Sequence, residues 1–477
     1  MDNQDFVKEV ADINTDFAGW YTDVVLKTDL VDYGPVKGTM VIKPYGYAIW
    51  ENLQAYADKR FKEVGVQNAY FPMFIPESYL KREAEHVEGF APEVAVVTFA
   101  GGQELSEKLI VRPTSETIIC EMYAKWINSY RDLPVRMNQW CNVVRWEKTT
   151  RPFLRTSEFL WQEGHTVYAT PEDAQADVER MLNIYIDVAQ ELLAIPVLNG
   201  RKTEREKFAG AVATYGIEAI MRDGKCLQAG TSHNLGQNFA KASNIRFLNK
   251  DGVLEYGYST SWGISTRLIG ALVMVHGDER GLKLPPNVAP IQVVIIPVAS
   301  HKPGVIEKCQ EVAEQLKKAG VRIKLDDSKN TPGWKFNEYE MKGVPVRLEI
   351  GPRDIENGVA TFVRRDTREK AQLSLDTIAT EIPEVLKQVQ QNMFDMAKQN
   401  LDNAIVVTDD YDTMVREIND KKVALAYHCG DNACEEEIKN KTTIKTRVIH
   451  SYDDSHKCIH CGKQSKYRVY FVKQYYK

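Results

Sequence analysis

The sequence predicts an α+β protein of about three domains: helices around an antiparallel sheet, then an α/β domain, then a small cysteine-containing domain. Its 477 residues, 43% of them hydrophobic, suffice for about three domains of roughly 150 residues each. The segment LPPNVAP (284–290) contains three prolines and marks the first boundary. Four of the eight cysteines lie beyond residue 428. We therefore expect domains at residues 1–284, 285–400 and 401–477.

Charge and hydropathy limit the classes of protein to which the chain can belong. A net charge of -5, from 61 basic and 66 acidic residues, argues against a generally basic nucleic-acid-binding surface but leaves a local basic groove possible. The N-terminus, MDNQDFVKEVADIN, is acidic and polar, and no run approaches the ~18 apolar residues of a membrane span. We expect a soluble, cytoplasmic protein without membrane contact.

The first domain contains an expected helix start in RPTSETIICEMYAKWI (112–127). Thr114 or Ser115 can cap this helix, and Glu116 lies in its first turn, where the helix dipole favours an acid. Capping alone is a sufficient explanation for these residues. The alternative is that Thr114 and Glu116 bind the ammonium group of a substrate.

The segment RPFLRTSEFLWQEGH (151–165) has an unusual pattern of side chains for a strand. In a strand, alternate residues share one face. That face would carry Arg155, Ser157, Phe159, Trp161, Glu163 and His165. A cation, two aromatic rings, a carboxylate and an imidazole are too mixed for an ordinary core, so the face is a candidate binding surface.

We expect Arg145 and Arg155 to lie side by side on that sheet face, because two strands joined by a short loop (148–152) would carry them. Two guanidinium groups so placed repel each other unless an anion lies between them. Phosphate is the natural candidate, since one guanidinium group bonds two phosphate oxygens at once. The alternative is a surface hairpin in which the arginines form ion pairs with Glu147 and Glu163.

Two later segments carry polar groups in suggestive positions. KCLQAGTSHNLGQNFA (225–240) alternates Gln228, Thr231 and His233 around a glycine along an expected strand, although a lone histidine is more often structural. An apolar helix then runs from Leu268 to His276 with Arg267 at its start. An arginine there opposes the helix dipole, so the pattern predicts a compensating anion, for which a bound polyphosphate is the candidate.

The second domain reads as a parallel α/β unit. QVVIIPV is an apolar strand, VIEKCQEVAEQLKKAG is a helix that ends at Gly320, and VRIKLDD is the next strand. PVRLEIG and ATFVRRDT supply two further strands, and a long helix closes the domain near residue 400.

The third domain carries two close cysteine pairs, CGDNAC (429–434) and CIHC (458–461). Four thiolates in two short pairs suit a closed, tetrahedral and therefore structural zinc site. Its expected ligands are Cys429, Cys434, Cys458 and Cys461. His428, His456 and His460 are near enough in sequence to replace one ligand, and unliganded reduced cysteines are the alternative.

Taken together, several long segments resemble the signature motifs of prolyl-tRNA synthetases of the archaeal and eukaryotic-like type. These segments are RPTSE, RWEKTTRPFLRTSEFLWQEGHT, QAGTSHNLGQNFA, SWGISTRLIGALVMVHGDERGLKLPP and HVEGFAPE (86–93). The resemblance covers nearly the whole chain. It implies a class II synthetase fold, an anticodon-binding α/β domain, a zinc-binding domain and a homodimer. The implied activity is ATP-dependent activation of L-proline, with Mg²⁺, and its transfer to tRNA(Pro).

The resemblance also implies roles for individual residues. Arg145, Arg155 and Arg267 match the residues that stabilise charge during catalysis. The implied ATP contacts are Arg145, Glu147, Arg155, Phe159, Gln228, Thr231, Ser265 and Arg267. The implied proline pocket consists of Thr114, Glu116, Arg145, Trp161, Glu163, His165 and His233. Phe159 is expected to stack on adenine and Trp161 to pack against the pyrrolidine ring.

In the second domain, GVPVRLEIGPRDIE (343–356) resembles the strand and loop with which the family reads the anticodon. Glu349, Arg353 and Asp354 are the candidates for base contacts, because arginine bonds the acceptor edge of guanine and a carboxylate accepts from its amino groups. The alternative is an ordinary charged strand end.

Two further features of the sequence bear on its function. His165 and Gln228 are separated by only 62 residues, too few for the inserted editing domain of some bacterial-type relatives. A catalytically silent paralogue and a synthetase for another small amino acid are the competing functions. The chain reads Tyr476-Lys477 at its end, whereas the family typically finishes on a tyrosine whose carboxylate turns toward the active site.

Overall fold

The computed structural model describes residues 8–86 and 93–475. Residues 1–7, 87–92 and 476–477 lie outside the described part. Most of the segment HVEGFAPE and the Tyr476-Lys477 end therefore lie outside it as well.

The helices that precede the proline-rich boundary are α1 (Phe17–Lys27), α2 (Pro44–Glu63), α3 (Glu77–His86), α4 (Glu116–Trp126), α5 (Pro171–Asp187), α6 (Asn238–Ser243) and α7 (Arg267–His276). A 3-10 turn at Tyr130–Asp132 and a π-helical turn at Val188–Leu192 accompany them. Local sequence explains the start of α5. Thr170 Oγ1 accepts a hydrogen bond from Asp173 N (3.2 Å), and Pro171 occupies the first helical position.

The strands of the same part are β1 (Val31–Tyr33), β2 (Met40–Ile42), β3 (Gln67–Asn68), β4 (Phe74–Pro76), β5 (Ala95–Ala100), β6 (Gln103–Val111), β7 (Val135–Val144), β8 (Glu158–Tyr168), β9 (Leu198–Arg201), β10 (Ala213–Ile220), β11 (Lys225–Gly236), β12 (Arg246–Leu248), β13 (Leu254–Tyr256) and β14 (Tyr258–Ser265). β7, β8, β14 and β11 are antiparallel neighbours in that order. The predicted antiparallel sheet is confirmed.

The α/β region contains β15 (Val293–Pro297), α8 (Val305–Lys318), β16 (Ile323–Leu325), α9 (Pro332–Met341), β17 (Val346–Ile350), α10 (Pro352–Glu356), β18 (Val359–Arg364), β19 (Lys370–Ser374) and α11 (Ile378–Ala404). Its sheet has the order β16-β15-β17-β18-β19, with β15 parallel to both of its neighbours. β15 is buried along its whole length, as expected for a strand covered by helices on both faces. The predicted α/β fold is therefore confirmed.

The last region contains β20 (Ile405–Val407), α12 (Tyr411–Asn419), β21 (Val423–His428), α13 (Asn432–Thr442), β22 (Lys445–Tyr452) and β23 (Tyr467–Gln474). These strands continue the sheet of the first region instead of forming a separate one. β23 pairs in parallel with β11 through Lys225 with Lys473 and Cys226 with Gln474. The described residues thus form an eleven-stranded sheet with the main path β20-β21-β23-β11-β14-β8-β7-β3.

The connection between β7 and β8 differs from its prediction. β7 ends at Val144 and β8 begins at Glu158, so Arg145 and Arg155 lie in the connection and not on the strands. The chain folds back tightly between Arg151 and Arg155, where Phe153 adopts a positive φ of 61°. The predicted short loop at 148–152 is therefore wrong, because this turn shortens both strands.

The segment between His165 and Gln228 is fully described and contains α5, the π-helical turn, β9 and β10. Together with the end of β8, the start of β11 and the connecting loops, these elements make up the whole of this segment. Within the described ranges, none of the helices combines the length and the apolar composition that crossing a membrane requires.

Candidate active site

A cavity of about 640 Å³ opens over the strands β8, β11 and β14 and the connection that precedes β8. All fourteen pocket residues predicted from the sequence line it. They are Thr114, Glu116, Arg145, Glu147, Arg155, Phe159, Trp161, Glu163, His165, Gln228, Thr231, His233, Ser265 and Arg267. The structure thus brings these residues together, and their individual roles remain predictions.

Strand register explains why residues distant in sequence meet in the cavity. Glu163 on β8 lies opposite Gly263 on β14, which lies opposite Thr231 on β11. One row further along, His165 lies opposite Ser261, and Ser261 lies opposite His233. Side chains in one row share a sheet face, so the polar residues of three strands point to the same surface.

Glu163 is the centre of a hydrogen-bond network at the base of the cavity. Its Oε1 accepts from Ser115 N (3.0 Å) and lies 2.8 Å from His165 Nε2, while its Oε2 accepts from Trp161 Nε1 (3.2 Å). Burial alone would raise the pKa of Glu163, but His165 and Ser115 outweigh it and the pKa is lowered. The carboxylate therefore stays charged and fixes the Trp161 ring.

The start of α4 departs from the predicted capping arrangement. Ser115 occupies the N-cap position, yet its hydroxyl makes no capping bond and instead accepts from Gln139 Nε2 (2.8 Å). The prediction that the Ser115 hydroxyl caps the helix is therefore wrong, because this hydroxyl binds the buried amide of Gln139 instead. The start of α4 therefore binds the buried side chains of Gln139 and Glu163, and it has no side-chain cap.

Glu116, in the first turn of α4, is the least satisfied acid of the cavity. It is 5% exposed, and its Oε2 has no hydrogen-bond partner within the described residues. Burial raises the pKa of this carboxyl with a contribution from the Glu163 charge, and the charges of His165 and Arg145 only partly oppose this rise. A buried carboxylate oxygen without a donor is costly, so a ligand cation such as an ammonium group would satisfy it.

Three guanidinium groups face the other side of the cavity. Arg145 Nε donates to Pro113 O (3.0 Å), Arg155 Nε lies 3.0 Å from Glu147 Oε2, and Arg267 Nε donates to Leu154 O (2.9 Å). Burial, with a contribution from the Arg155 charge, lowers the pKa of Arg145. The ion pair of Arg155 with Glu147 matches part of the alternative hairpin interpretation, but both residues line the cavity.

Rings enclose the cationic side of the cavity. The Arg145 guanidinium lies 5.3 Å from the Trp161 ring centroid and 5.6 Å from that of Phe159. These two rings meet edge to face at 5.8 Å. The arrangement holds Arg145 between aromatic faces and restricts its freedom before any ligand binds.

Among the cavity residues that the sequence reasoning missed, one group comes from the segment VLNGRKTEREKFAG (197–210). Lys202, Glu206 and Phe208 line the cavity. Burial lowers the pKa of Lys202 to about 8, and its Nζ donates to Gln228 Oε1. The density of charge in this segment was the available signal, but many solvated loops share it.

His233 is a neutral imidazole in this cavity. Burial, with the charge of Lys202, lowers its pKa to about 3. Its Nδ1 lies 2.9 Å from Thr214 Oγ1, and its ring lies 4.8 Å from the ring of Phe208. The side chain therefore offers the cavity a hydrogen-bonding group and an aromatic surface without a charge.

The three predicted base-reading residues lie in the α/β region, and they differ in exposure. Arg353 on α10 is exposed. Asp354 Oδ2 accepts from Gly351 N (2.8 Å), and Glu349 is 7% exposed and bonded to Arg347 and Lys370. Glu349 and Asp354 thus make the structural contacts of a charged strand end, whereas Arg353 is available to a ligand.

The C-terminal cysteines form a group that could hold a metal ion. Ligand atoms of His428, Cys429, Cys434 and Cys458 lie within 4.8 Å of one another, and Cys461 Sγ lies 3.6 Å from Cys429 Sγ. Burial raises the pKa of Cys429 to about 11 and that of Cys434 further. Protonated thiols this close together suit a site in which a metal displaces the protons.

The other two histidines near the cysteines have carboxylate contacts. His460 Nε2 lies 2.9 Å from Glu437 Oε2, and His456 Nδ1 lies 3.4 Å from Asp453 Oδ1. Of the three neighbouring histidines considered as replacement ligands, His428 is the one that belongs to the group.

Family models match three stretches of the chain. Residues 97–276 match the tRNA synthetase class II core domain (G, H, P, S and T), and residues 292–385 match the anticodon binding domain. Residues 411–475 match the model described as prolyl-tRNA synthetase, C-terminal.

Whole-chain comparisons agree with these models. The chain is 59% identical to a proline–tRNA ligase of Alkaliphilus oremlandii, with 98% of each chain covered, and 58% identical to one of Acetoanaerobium sticklandii, with 99% of each covered. It is also similar to a crystal structure of prolyl-tRNA synthetase from Cryptosporidium parvum complexed with L-proline and AMP. That similarity has a TM-score of 0.94 at 42% identity and covers 99% of this chain and 98% of the other.

Proposed function

The chain belongs to the prolyl-tRNA synthetase family, and we propose that its cavity activates L-proline with ATP before transfer to tRNA(Pro). The observation that carries this proposal is the pairing of a buried, unpartnered Glu116 oxygen with three guanidinium groups across one cavity. Such a site receives an ammonium group on one side and phosphates on the other. An amino acid and a nucleotide together meet both requirements.

The proline side is formed by the network around Glu163. We propose that Glu116 and Thr114 bind the ammonium group and that Trp161 packs against the pyrrolidine ring. Because Glu163 accepts from Trp161 Nε1, the ring is fixed before the substrate binds. His165 and His233 complete the polar positions of this pocket.

The ATP side is formed by the arginines and by Phe159. We propose that a proline carboxylate oxygen attacks the α-phosphorus in line and forms a new O–P bond. The bond between the α-phosphorus and the oxygen that bridges it to the β-phosphate breaks, and pyrophosphate leaves. No protein nucleophile is needed, because the reaction depends on bringing two anions together and on stabilising developing negative charge. Arg145, Arg155 and Arg267 supply the fixed positive charges for this step.

Gln228, Thr231, Ser265 and Glu147 complete the proposed ATP contacts. Mg²⁺, when bound, neutralises phosphate charge, and carboxylates together with phosphate oxygens are its usual ligands. Glu93 and Glu147 are carboxylates that line the cavity and fit this role.

We also propose a structural zinc ion held by Cys429, Cys434, Cys458 and Cys461, with His428 as the alternative fourth ligand. The grouped thiols support this proposal.

On the resemblance alone, we further propose a homodimer in the cytoplasm. Light scattering of the purified chain tests the dimer, with twice the 54.3 kDa chain mass as the expected result.

The exchange of pyrophosphate into ATP, measured separately with each amino acid, tests the proposed function. We expect exchange that depends on proline. Exchange with a different small amino acid in preference to proline would indicate a sister synthetase, and absence of exchange with every amino acid would indicate a silent paralogue. Either result contradicts the proposal.

A further inference from the structure

The C-terminal region places one buried arginine beneath the ATP side of the cavity. Arg447, on β22, is 1% exposed, and its Nη2 donates to Glu218 Oε1 (2.7 Å) and to Gln228 Oε1 (3.5 Å). Its Nη1 lies 3.4 Å from Glu206 Oε2. Gln228 and Glu206 both line the cavity, so a residue outside the class II core touches two cavity residues.

Lys202 completes a buried charge network with Arg447. Lys202 Nζ also donates to Gln228 Oε1 and lies 3.8 Å from Glu218 Oε1. Burial alone would raise the pKa of Glu218, but the charges of Arg447 and Lys202 outweigh it and the pKa is lowered. The Glu218 carboxylate therefore remains charged between two cations.

This network determines the orientation of the Gln228 carboxamide. Two cationic donors on Oε1 leave the amide nitrogen, with its two N–H donors, as the group that Gln228 offers to a ligand. A donor in this position suits a phosphate or ribose oxygen. Without the cations, the carboxamide could turn over and present an acceptor instead.

We infer that Arg447 is a positioning residue for ATP, and that it acts by holding Glu218, Lys202 and the Gln228 carboxamide in one arrangement. This inference rests on the proposed function, because it takes Gln228 as part of the ATP side. On this inference, the C-terminal region helps to position the ATP-binding residues of the active site.

A second group of contacts fixes the same segment from the C-terminal side. Thr203 Oγ1, next to Lys202, donates to Glu435 Oε1 (3.0 Å) on α13. Lys202 itself forms a backbone bridge with Val448, the neighbour of Arg447. Residues of both regions also share one apolar cluster, consisting of Leu198, Cys226, Leu401, Val423, Leu425, Val448, Tyr470 and Val472. The backbone at Lys202 and Thr203 is therefore attached to the C-terminal region by both main-chain and side-chain contacts.

Stability is a weak explanation for burying this network. Removing two charges from water is costly, and well-packed apolar residues often replace a buried ion pair without loss of stability. An arginine kept at this depth, in contact with two cavity residues, is better explained by the position that it imposes on them.

The test measures pyrophosphate exchange by the full-length protein and three variants, with ATP and proline varied separately. We expect Arg447→Met to raise the KM for ATP at least about tenfold and to leave the KM for proline within about twofold. Arg447→Lys keeps a cation and should restore much of the ATP affinity. Lys441→Met is the control, since Lys441 also lies in the C-terminal region but is exposed, pairs with Glu437 and does not line the cavity, and it should behave as the wild type.

The outcomes separate the inference from the proposed function. An unchanged KM for ATP in Arg447→Met, or equal weakening of ATP and proline, would overturn the inference while wild-type exchange still supports the function. Arg447→Met alone leaves the buried Glu218 carboxylate without its arginine partner. If that variant does not fold, the double variant Arg447→Met/Glu218→Gln removes this charge as well. This double variant should show the same ATP-specific defect, and a wild-type KM for ATP in it would overturn the inference.

Discussion

Glu116 illustrates how burial at a single residue can be linked to substrate binding. Its Oε2 lacks a partner among the described residues, and burial raises the pKa of its carboxyl, so a bound ammonium group would relieve both conditions. We predict that Glu116→Gln raises the KM for proline about 10- to 100-fold, the usual worth of a hydrogen bond to a charged group. Pyrophosphate exchange at varied proline concentrations measures this KM.

Glu121→Gln on the same helix is the control for this prediction. Glu121 pairs with Arg82 and does not line the cavity, so its variant should retain the wild-type KM for proline. A normal KM for proline in Glu116→Gln would show that the ammonium group binds elsewhere.

Arg155 tests the cationic side of the cavity. We predict that Arg155→Ala lowers the rate of proline-dependent exchange about 100- to 1,000-fold, because it removes one preorganised donor to developing charge. The fold should be intact, since Arg155 is 31% exposed as a side chain. Lys148→Ala changes an exposed cation on the same connection and should leave exchange unchanged. Near-normal exchange in Arg155→Ala would remove this residue from the catalytic step.

Residue patterns predicted the grouping of the cavity side chains but not their supporting partners. The alternation of Phe159, Trp161, Glu163 and His165 places them on one face in any strand. By contrast, Lys202 joins the network of Arg447 only because the end of β9 lies beside β22, more than 200 residues further along the chain. Such long-range pairing leaves no periodic signal in the sequence, so Lys202 and Arg447 could not be identified from it.

At the scale of elements, the junction between the first region and the α/β region depends on Asp278, which follows α7. Its carboxylate bonds Arg365 through two short contacts, 2.6 and 2.8 Å, and its backbone oxygen accepts from Trp20 Nε1 (2.8 Å). Burial alone would raise the pKa of Asp278, but Arg365 and Lys283 outweigh it and lower the pKa to about 2. The folded protein therefore stabilises the charged form.

The sign of the resulting pH dependence follows from the lowered pKa. Asp278 contributes stability above its ordinary pKa of 3.8 and loses it as the pH falls toward about 2. We predict that Asp278→Asn lowers the unfolding free energy by about 2 kcal/mol at pH 7, and that its difference from the wild type shrinks below pH 4. Urea unfolding at several pH values measures this.

Glu279→Gln is the matched control for the junction. Glu279 is adjacent and pairs with Arg368, but it is 60% exposed, and exposed ion pairs contribute little to stability. A difference of equal size in Glu279→Gln would show that general surface charge, and not the buried pair, stabilises the junction.

The C-terminal cysteine group can be tested by its metal content. We predict about one zinc ion per chain in the purified protein, and its loss in Cys458→Ser together with a lower unfolding temperature of the C-terminal region. Cys309→Ser, in the buried face of α8, changes a cysteine outside the group and should keep the zinc. Elemental analysis that finds no zinc in the wild type would contradict the site.

At the scale of the whole molecule, the continuation of one sheet across two regions is the feature that the sequence did not predict. Cysteine spacing indicated a separate small domain, and the α/β region was predicted from its strand and helix pattern. The parallel pairing of β23 with β11 joins residues that are separated by almost 250 positions. The sequence of an edge strand does not specify which distant strand pairs with it, so this pairing is seen only in the folded structure.

The separation of the cavity from the α/β region leads to the last prediction. Every described residue that lines the cavity lies between Glu93 and Arg267, whereas Arg353 lies on α10 with its side chain exposed. We predict that Arg353→Ala lowers aminoacylation of tRNA(Pro) about 10- to 100-fold, the cost of losing one base contact, and spares proline-dependent exchange. Lys387→Ala, an exposed change on α11, should leave both activities intact. Equal loss of both activities in Arg353→Ala would mean that this arginine supports folding and does not read the anticodon.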